Sequence, residues 1–266
     1  MSTTIENIGT DPVLLRDDAS GITTLTLNRP KKFNALSEEM LTALQHALDA
    51  VAQDDSVKVV VVAGAGKAFC GGHDLKEMRS QPDLEYYRHL FKRCSDMMLT
   101  MTTMPQPVIA RVHGIATAAG CQLVANADLA VASSSATFAT SGVNLGLFCA
   151  TPGVPLSRNI LRKHAMEMLL TGDFIPADTA ARLGLVNRVV EPGELDRAVD
   201  DLARHIADRP AVAVRTGKRM FYEQIDKELA DAYSLAADVM ARNMMAADTV
   251  EGIDAFIEKR NPAWKS

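Results

Sequence analysis

Two continuous apolar runs, each leading into a glycine-containing turn and then a helical pattern, constrain the fold of this chain most strongly. The runs are VKVVVVAG at residues 57–64 and PVIARVHG at residues 107–114. A run that is apolar at every position is typical of a parallel strand buried on both faces. A third strand is predicted at residues 128–133, and helical patterns lie between the strands. This alternation predicts an α/β fold.

The segment after each apolar run brings small residues to the start of a helix. These segments are GKAFCGGHDLKEM at residues 66–78 and IATAAGCQL at residues 115–123. Asp74 and Glu77 have the spacing of a capping box, which directs the N–H of His73 outward. Two converging N–H groups can hold an oxyanion, and losing one such donor typically costs ~3 kcal/mol of transition-state stabilisation. In the alternative interpretation, the glycines only permit tight turns.

The composition indicates a soluble chain without a nucleic-acid partner. Hydrophobic residues make up 47% of the sequence, but no apolar run reaches the roughly 18 to 20 residues that span a membrane. The net charge is -5, with no long block of like charge. Four scattered cysteines indicate neither a disulfide framework nor a metal site. Because the N-terminus lacks the pattern of a signal or transit peptide, we expect a cytoplasmic protein.

The two ends of the chain differ from its alternating middle. Residues 12–17 and 22–30 predict a β-hairpin, and Ser37 is a suitable N-cap for the first helix. After about residue 155 the pattern is mostly helical, with one short strand at VNRVV. The methionines of the late helix, from Met240 to Met245, are predicted to pack within the chain or against another subunit.

Five motifs follow one another along nearly the whole chain, namely NRPKKFNAL (28–36), GKAFCGGHDLKEM (66–78), PVIARVHGIATAAGCQLVANADLAVAS (107–133), AMEMLLTGDFIPADTAARLGLVNRVV (165–190) and AFIEKR (255–260). Together they resemble the enoyl-CoA hydratase/isomerase, or crotonase, family. GCQL and GLFC within this sequence are similar to a subgroup of hydratase-domain-containing proteins.

The resemblance implies a crotonase-like spiral of ββα units at residues 1–200 and a helical C-terminal trimerisation region at residues 201–266. It also implies a homotrimer or a dimer of trimers. The ligand would be an acyl-CoA thioester, with coenzyme A as part of the substrate and no separate cofactor. The N–H groups of His73 and Ala119 match the pair that holds the thioester oxygen.

The resemblance further implies a set of CoA-binding residues. One segment flanks the nucleotide end, a second passes the adenine and pantetheine, and a C-terminal pair reaches the CoA of the same or a neighbouring subunit. These are, respectively, Lys31, Lys32 and Phe33; Ala68, Gly71, Asp74, Leu75 and Lys76; and Phe256 and Lys259. Lysines suit a polyphosphate, although each of them taken singly is also an ordinary surface residue.

Both glutamates that hydratases of the family use are absent. Gln122 and Gly142 occupy the matching positions, and neither has a proton equilibrium near neutral pH. Each acid or base usually contributes on the order of a hundred to ten thousand-fold, so we expect weak hydration by the usual route. Restoring acids at both positions is expected to raise hydration more than either change alone, unless Gly142 has a positive φ.

Two side chains are candidates to replace the glutamates. His73 is the imidazole of the two turns, where it acts as acid or base near pH 7 or is a hydrogen-bonded bystander. Cys149 is a nucleophile if its pKa is depressed, and otherwise an inert packing group.

The sequence leaves three functional alternatives open. The leading one is enoyl-CoA hydratase/isomerase-type chemistry on a fatty acyl-CoA thioester through an oxyanion hole. The second is a catalytically silent acyl-CoA-binding protein. The third is a different reaction of the family, namely isomerisation, thioester hydrolysis or decarboxylation.

Overall fold

The structure is a computed structural model that describes residues 11–264. Within this range the strands form two sheets, one of six strands and one of four. The strands are β1 (Leu14–Ala19), β2 (Ile22–Leu27), β3 (Val59–Gly64), β4 (Ala68–Cys70), β5 (Val108–Val112), β6 (Ile115–Thr117), β7 (Leu129–Ser133), β8 (Thr137–Ala139), β9 (Ile175–Pro176) and β10 (Arg188–Val190). The α-helices are α1 (Glu38–Ala52), α2 (Leu75–Ser80), α3 (Leu84–Thr103), α4 (Ala119–Asn126), α5 (Ala150–Asn159), α6 (Arg162–Thr171), α7 (Ala177–Leu183), α8 (Leu195–Ala207), α9 (Ala211–Gln224), α10 (Leu229–Met244) and α11 (Ala247–Glu258).

The six-stranded sheet has the order β1-β2-β3-β5-β7-β10, and the four-stranded sheet has the order β4-β6-β8-β9. Neighbouring strands are parallel except for the pairs β1–β2 and β8–β9. Three times in succession the chain leaves a strand of the large sheet, enters a strand of the small one and continues into a helix. The predicted α/β fold of repeated ββα units is therefore confirmed.

The predicted hairpin is present as β1 and β2, in antiparallel register with Ala19 opposite Ile22. Its two turn residues, Ser20 and Gly21, both have positive φ. A two-residue turn with positive φ at both positions matches the right-handed twist of the strands it joins.

The apolar runs are buried on both faces of the large sheet. In β3, Val60 and Val62 pack into the main core between the sheets and the helices around them. Their alternating neighbours, Val59 and Val61, pack instead with α8. Since successive strand residues point to opposite faces, a strand covered on both sides needs no polar alternation.

The helices of the second half divide into two groups. The boundary predicted at residue 200 falls within α8, which lies against the large sheet. Beyond it, α9, α10 and α11 expose many large apolar side chains; Met240 and Met244 of α10 are among them, and Met245, which follows α10, is exposed as well. None of the described helices is long and apolar enough to span a bilayer.

Candidate functional site

Two cavities meet at the turn between β4 and α2. The first is about 190 Å³, and apart from His73 its described lining holds no charged or titratable group other than the thiol of Cys149. The second is about 550 Å³ and runs along the loop that precedes α1. Gly71, His73 and Leu75 line both cavities, so the two adjoin at this turn.

The two glycine turns lie against each other at this junction. Gly72 has a φ of +92°, and a Cβ on it would lie 2.9 Å from the Cβ of Ala118 and 3.4 Å from the backbone nitrogen of Ala119. Ala118 itself has a φ of 51° and a ψ of −119°, a conformation that non-glycine residues seldom adopt. The strained turn thus brings the start of α4 beside the segment that carries His73.

The N–H groups of His73 and Ala119 donate to no other group within residues 11–264. Ala119 is the first residue of α4, where a helix leaves its N–H groups without intrahelical partners. Both residues also line the first cavity. The arrangement therefore offers two backbone donors to a ligand oxygen.

The close approach of α4 to β4 depends on Gly120. A Cβ at this position would lie 2.0 Å from the carbonyl oxygen of Cys70. No side chain fits there, which gives this glycine a packing role in addition to permitting the turn.

The capping box predicted at Asp74 is only half formed. The Asp74 carboxylate accepts from the N–H groups of Lys76 and Glu77 and so begins α2 as expected. The carboxylate of Glu77, however, accepts from the N–H of Glu38 at the start of α1, at 3.0 Å. Burial opposes the charge of Asp74, but the N–H of Glu77 and the guanidinium of Arg29 together lower the pKa of its carboxyl.

The loop that bears Lys31, Lys32 and Phe33 is held in place by Asn34, which sequence reasoning missed. Its fully buried amide donates to the carbonyl oxygens of Ala65 and Ala68, both at 2.8 Å. Asn34 has a φ of 53°, and asparagine is among the residues that tolerate this left-handed conformation. The asparagine within KKFNAL could therefore have indicated a left-handed turn from the sequence alone.

Arg29 is a second residue that the sequence reasoning missed. Its guanidinium pairs with Asp74 at 3.1 Å and also donates to the carbonyl oxygen of Ala35. It thereby ties the loop before α1 to the turn that carries His73.

The predicted CoA-binding residues fall into three groups in the structure. Ala68 lies buried in β4, where its carbonyl oxygen holds Asn34 and it lines neither cavity. Phe256 lies in α11, and Lys259 is the residue directly after this helix. Both are exposed, and neither lines a cavity. The remaining seven line the second cavity together: Lys31, Lys32, Phe33, Gly71, Asp74, Leu75 and Lys76.

The imidazole of His73 is largely buried, which disfavours its charged form. Burial lowers its pKa, in spite of a contact of 3.4 Å between Nδ1 and the carbonyl oxygen of Leu36. Its ring packs edge-on against Phe91, with 5.5 Å between the ring centroids. The lowered pKa disfavours the imidazolium that an acid needs, and the role of His73 as acid or base stays a prediction.

Cys149 does not have the depressed pKa that a nucleophile needs. Burial raises the pKa of its thiol, although the N–H of Gly142 donates to Sγ at 3.3 Å. The side chain is 6% exposed and forms no disulfide. The protonated thiol instead fixes the position of the loop that contains Gly142.

The two positions that lack glutamate differ in their surroundings. Gln122 lies in α4, is 3% exposed and lines neither cavity, and its Oε1 has no hydrogen-bond partner in residues 11–264. Gly142 lines the first cavity, but a Cβ on it would lie 2.4 Å from the carbonyl oxygen of Leu147 and 2.7 Å from the sulfur of Cys149. Its φ is not positive, so the obstacle to a side chain is steric.

Comparisons with known proteins agree with this geometry. A sequence model described as "Enoyl-CoA hydratase/isomerase" matches residues 17–266. The chain is 43% identical over 244 residues to the mitochondrial enoyl-CoA hydratase domain-containing protein 3 of Rattus norvegicus, covering 92% of this chain and 81% of that protein. It is 35% identical over 241 residues to the crotonyl-CoA hydratase of Syntrophomonas wolfei, covering 89% and 91%.

Among solved structures, an enoyl-CoA hydratase from Mycobacterium smegmatis superimposes with a TM-score of 0.95 at 57% identity, over 96% of this chain and all of that one. The human enoyl-CoA hydratase domain-containing protein 3 gives 0.93 at 44% identity, over 95% of this chain and all of that one. With the two backbone donors and the ββα spiral, these matches show that the chain belongs to the enoyl-CoA hydratase/isomerase family, in its hydratase-domain-containing subgroup.

Proposed function

We propose that the protein binds an acyl-CoA thioester with its carbonyl oxygen between the N–H groups of His73 and Ala119. The acyl group occupies the first cavity and the CoA moiety lies along the second. The observation that carries this proposal is that both donors lack a protein partner and line the first cavity, beside the turn at which the second cavity adjoins it. Lys31, Lys32 and Lys76 line the second cavity, where their charge suits the phosphates of CoA.

Calorimetry with butyryl-CoA and with S-butyl-CoA, the thioether that lacks the carbonyl oxygen, tests this binding mode. We expect the thioether to bind roughly tenfold more weakly, because it leaves both donors unpaired. Failure of butyryl-CoA to bind at millimolar concentration would refute the proposal. Equal affinities of the two ligands would remove the role assigned to the backbone donors.

The proposed chemistry is enolate stabilisation with slow hydration. The first cavity has backbone donors, but neither an Asp nor a Glu is among its described lining residues. We expect crotonyl-CoA to be hydrated far more slowly than by an ordinary hydratase, since two acid–base groups are missing. Turnover at roughly tens per second would overturn this expectation.

A deuterium-exchange assay separates an enolate-forming enzyme from a silent acyl-CoA-binding protein. Butyryl-CoA is incubated with the protein in D2O, and the mass of the recovered thioester is compared with a protein-free control. Incorporation at C2 supports enolate formation. Binding without incorporation favours the silent protein.

We further propose that the protein is a homotrimer or a dimer of trimers. The support is the apolar surface on α10 and α11, where Tyr233, Met240, Phe256 and Ile257 are each at least 70% exposed in the single chain. Light scattering should give three or six times 28.7 kDa, and Met240→Asp should reduce it. Leu99→Asp, an exposed leucine of α3, is the matched control. A monomer mass for the unmodified protein contradicts the proposal.

We propose a cytoplasmic location because the cysteines form no disulfides. All four cysteines are free and buried, as is usual in a reducing compartment. Fractionation of the native host with an antibody to the protein tests this location.

A further inference from the structure

Arg29 lies at one end of a chain of hydrogen bonds whose other end is the His73 donor. Its guanidinium donates to the carbonyl oxygen of Ala35 at 3.0 Å. The N–H of the next residue, Leu36, donates to the carbonyl oxygen of Gly72 at 2.8 Å. The N–H that follows Gly72 is that of His73, which has no acceptor in the part of the chain that the structure describes.

The geometry of the peptide bond gives this chain a direction. In a trans peptide the C=O and the N–H point in opposite directions. Because Arg29 holds the carbonyl of Ala35, the N–H of Leu36 points away from Arg29. Because Leu36 in turn holds the carbonyl of Gly72, the N–H of His73 points away from Leu36. Leu36 and His73 also form an isolated parallel bridge, so the orientation of the donor follows the position of Leu36.

The charge of Arg29 acts along the same chain. Hydrogen bonds in series polarise one another, so a cation at the first acceptor strengthens the last donor. The guanidinium also pairs with the Asp74 carboxylate at 3.1 Å, and so offsets the negative charge that lies one residue after His73. The side chain of Arg29 is only 21% exposed, which limits the screening of its charge by solvent.

We infer that Arg29 is a positioning residue for the oxyanion donor, which it orients and polarises through the two peptide units that end at His73. This inference rests on the proposed function, in which the N–H of His73 holds the thioester oxygen. Arg29 itself lines neither cavity, so no contact with the ligand is assigned to it. Its removal should therefore weaken the recognition of the carbonyl oxygen more than the binding of the rest of the ligand.

The experiment compares butyryl-CoA with S-butyl-CoA by calorimetry in the wild type and in Arg29→Met. For each protein the ratio of the S-butyl-CoA Kd to the butyryl-CoA Kd is formed, so that a general loss of affinity cancels. The wild-type ratio should be about tenfold, and in Arg29→Met it should fall to about threefold or less. A purely structural role of Arg29 lowers both affinities and leaves the ratio unchanged, which would overturn the inference.

Infrared difference spectra of butyryl-CoA labelled with 13C at the thioester carbonyl give a second measurement. Hydrogen bonds to this oxygen weaken the C=O bond, so its stretching band should move to lower frequency when the ligand binds the wild type. We expect a smaller displacement of the band in Arg29→Met. Equal displacements in the two proteins would contradict the role assigned to Arg29.

Arg215→Met is the matched control. Like Arg29, Arg215 pairs with an aspartate and donates to backbone carbonyl oxygens, and its side chain is 23% exposed. It lies in α9 and lines neither cavity. Its Kd ratio and its band position should stay at the wild-type values. A change as large as that in Arg29→Met would show that the effect does not depend on the chain of hydrogen bonds.

The outcomes separate this inference from the proposed function. A wild-type ratio of about ten that survives in Arg29→Met overturns the inference and leaves the proposed function standing. Failure of butyryl-CoA to bind the wild type overturns both. Equal affinities of the two ligands for the wild type remove the role of the backbone donors, and the inference is then overturned with it.

If Arg29→Met does not fold, NMR of the wild type tests the chain directly. A ligand oxygen at the N–H of His73 should strengthen the preceding hydrogen bond, from Leu36 to Gly72. The amide proton of Leu36 should then move downfield with butyryl-CoA but not with S-butyl-CoA. The same Leu36 resonance with both ligands contradicts the inference.

Discussion

Gly142 lines the first cavity at a point where the structure leaves no room for a Cβ. The carbonyl oxygen of Leu147 and the sulfur of Cys149 occupy the space that a side chain needs. The only obstacle to a side chain that the sequence suggested at this position was a positive φ, and Gly142 does not have one. The obstacle comes from a loop that folds back over the glycine, and a contact of this kind has no local sequence signature.

We expect Gly142→Ala to lower the free energy of unfolding by about 2 kcal/mol, because the added methyl must displace a backbone carbonyl. Urea unfolding at fixed protein concentration measures the change. Gly193→Ala is the control, since a Cβ at Gly193 meets nothing within 4 Å and its φ is not positive. Equal stability of the two variants would show that the loop yields freely.

The same contact bears on the missing glutamates. Adding Gly142→Glu to Gln122→Glu is now expected to bring no gain in crotonyl-CoA hydration over Gln122→Glu alone, because the larger side chain displaces the loop. A comparison of kcat for the two variants, each checked for folding by circular dichroism, tests this. Synergy between them would show that the loop can move aside.

At the scale of the element, helices, long strands and the short strand β10 at VNRVV were predictable, but the short strands of the small sheet were not. The runs that became β3, β5 and β7 were clear because each is continuously apolar. The three-residue strands β4 and β6 lie in segments that were interpreted as turns, and no strand was predicted where β8 lies. Three residues are too few to show a period, and these strands exist because the small sheet pairs segments far apart in sequence.

The attachment of α9 depends on a buried ion pair. Lys218 contacts the Asp128 carboxylate at 2.7 Å and donates to the carbonyl oxygens of Met101 and Gln106. Asp128 also accepts from the hydroxyl of Tyr222 at 2.8 Å. The sequence analysis placed Asp128 at the start of a strand, and this residue directly precedes β7. Its partners Lys218 and Tyr222 lie far along the chain in α9, so spacing could not have paired them with it.

We expect Lys218→Met to lower the free energy of unfolding by about 3 to 5 kcal/mol, because it leaves the Asp128 carboxylate uncompensated. Lys218→Met combined with Asp128→Asn should recover part of the loss, since both charges are then gone. Chemical denaturation at fixed protein concentration measures both. Arg219→Met is the control, because its exposed pair with Glu223 is worth little. A loss no larger than that of the control contradicts the role of the pair.

At the scale of the whole molecule, alkaline pH should weaken the fold through its thiols. Burial raises the pKa of Cys70, Cys94 and Cys121 to about 12 in each case. The unfolded thiols ionise from about pH 9. Stability from these groups is therefore complete below pH 9 and is lost as pH rises toward 12. At pH 10 the loss reaches on the order of 4 kcal/mol for the three.

Urea unfolding between pH 8 and pH 10 measures how the free energy of unfolding changes with pH. Lys218 acts in the opposite direction, because burial lowers its pKa and the cost of its charge disappears as pH rises. Burial also raises the pKa of the Cys149 thiol, so four thiols oppose one amine and the free energy of unfolding should fall as pH rises. The triple variant Cys70→Ala, Cys94→Ala, Cys121→Ala should make this fall smaller, and an equal fall in that variant would contradict the assignment.

The order of motifs along the chain was enough to predict the spiral and the place where its two glycine turns meet. It did not place Phe256 and Lys259, which lie apart from both cavities in the single chain. The resemblance left open whether this pair serves its own subunit or a neighbour. The ligand that these two residues reach depends on how subunits assemble, and the sequence pattern of one chain does not show this directly.

The two donors at the junction belong to the main chain, and this has a consequence for mutational robustness. Apart from a change to proline, no point mutation at His73 or Ala119 deletes the N–H of that residue. In the proposed binding mode, the polarisation of a thioester therefore depends on the path of the backbone, whereas groups that move protons are side chains that point mutations can replace. A lineage could then exchange one reaction for another on this scaffold and still bind the carbonyl oxygen.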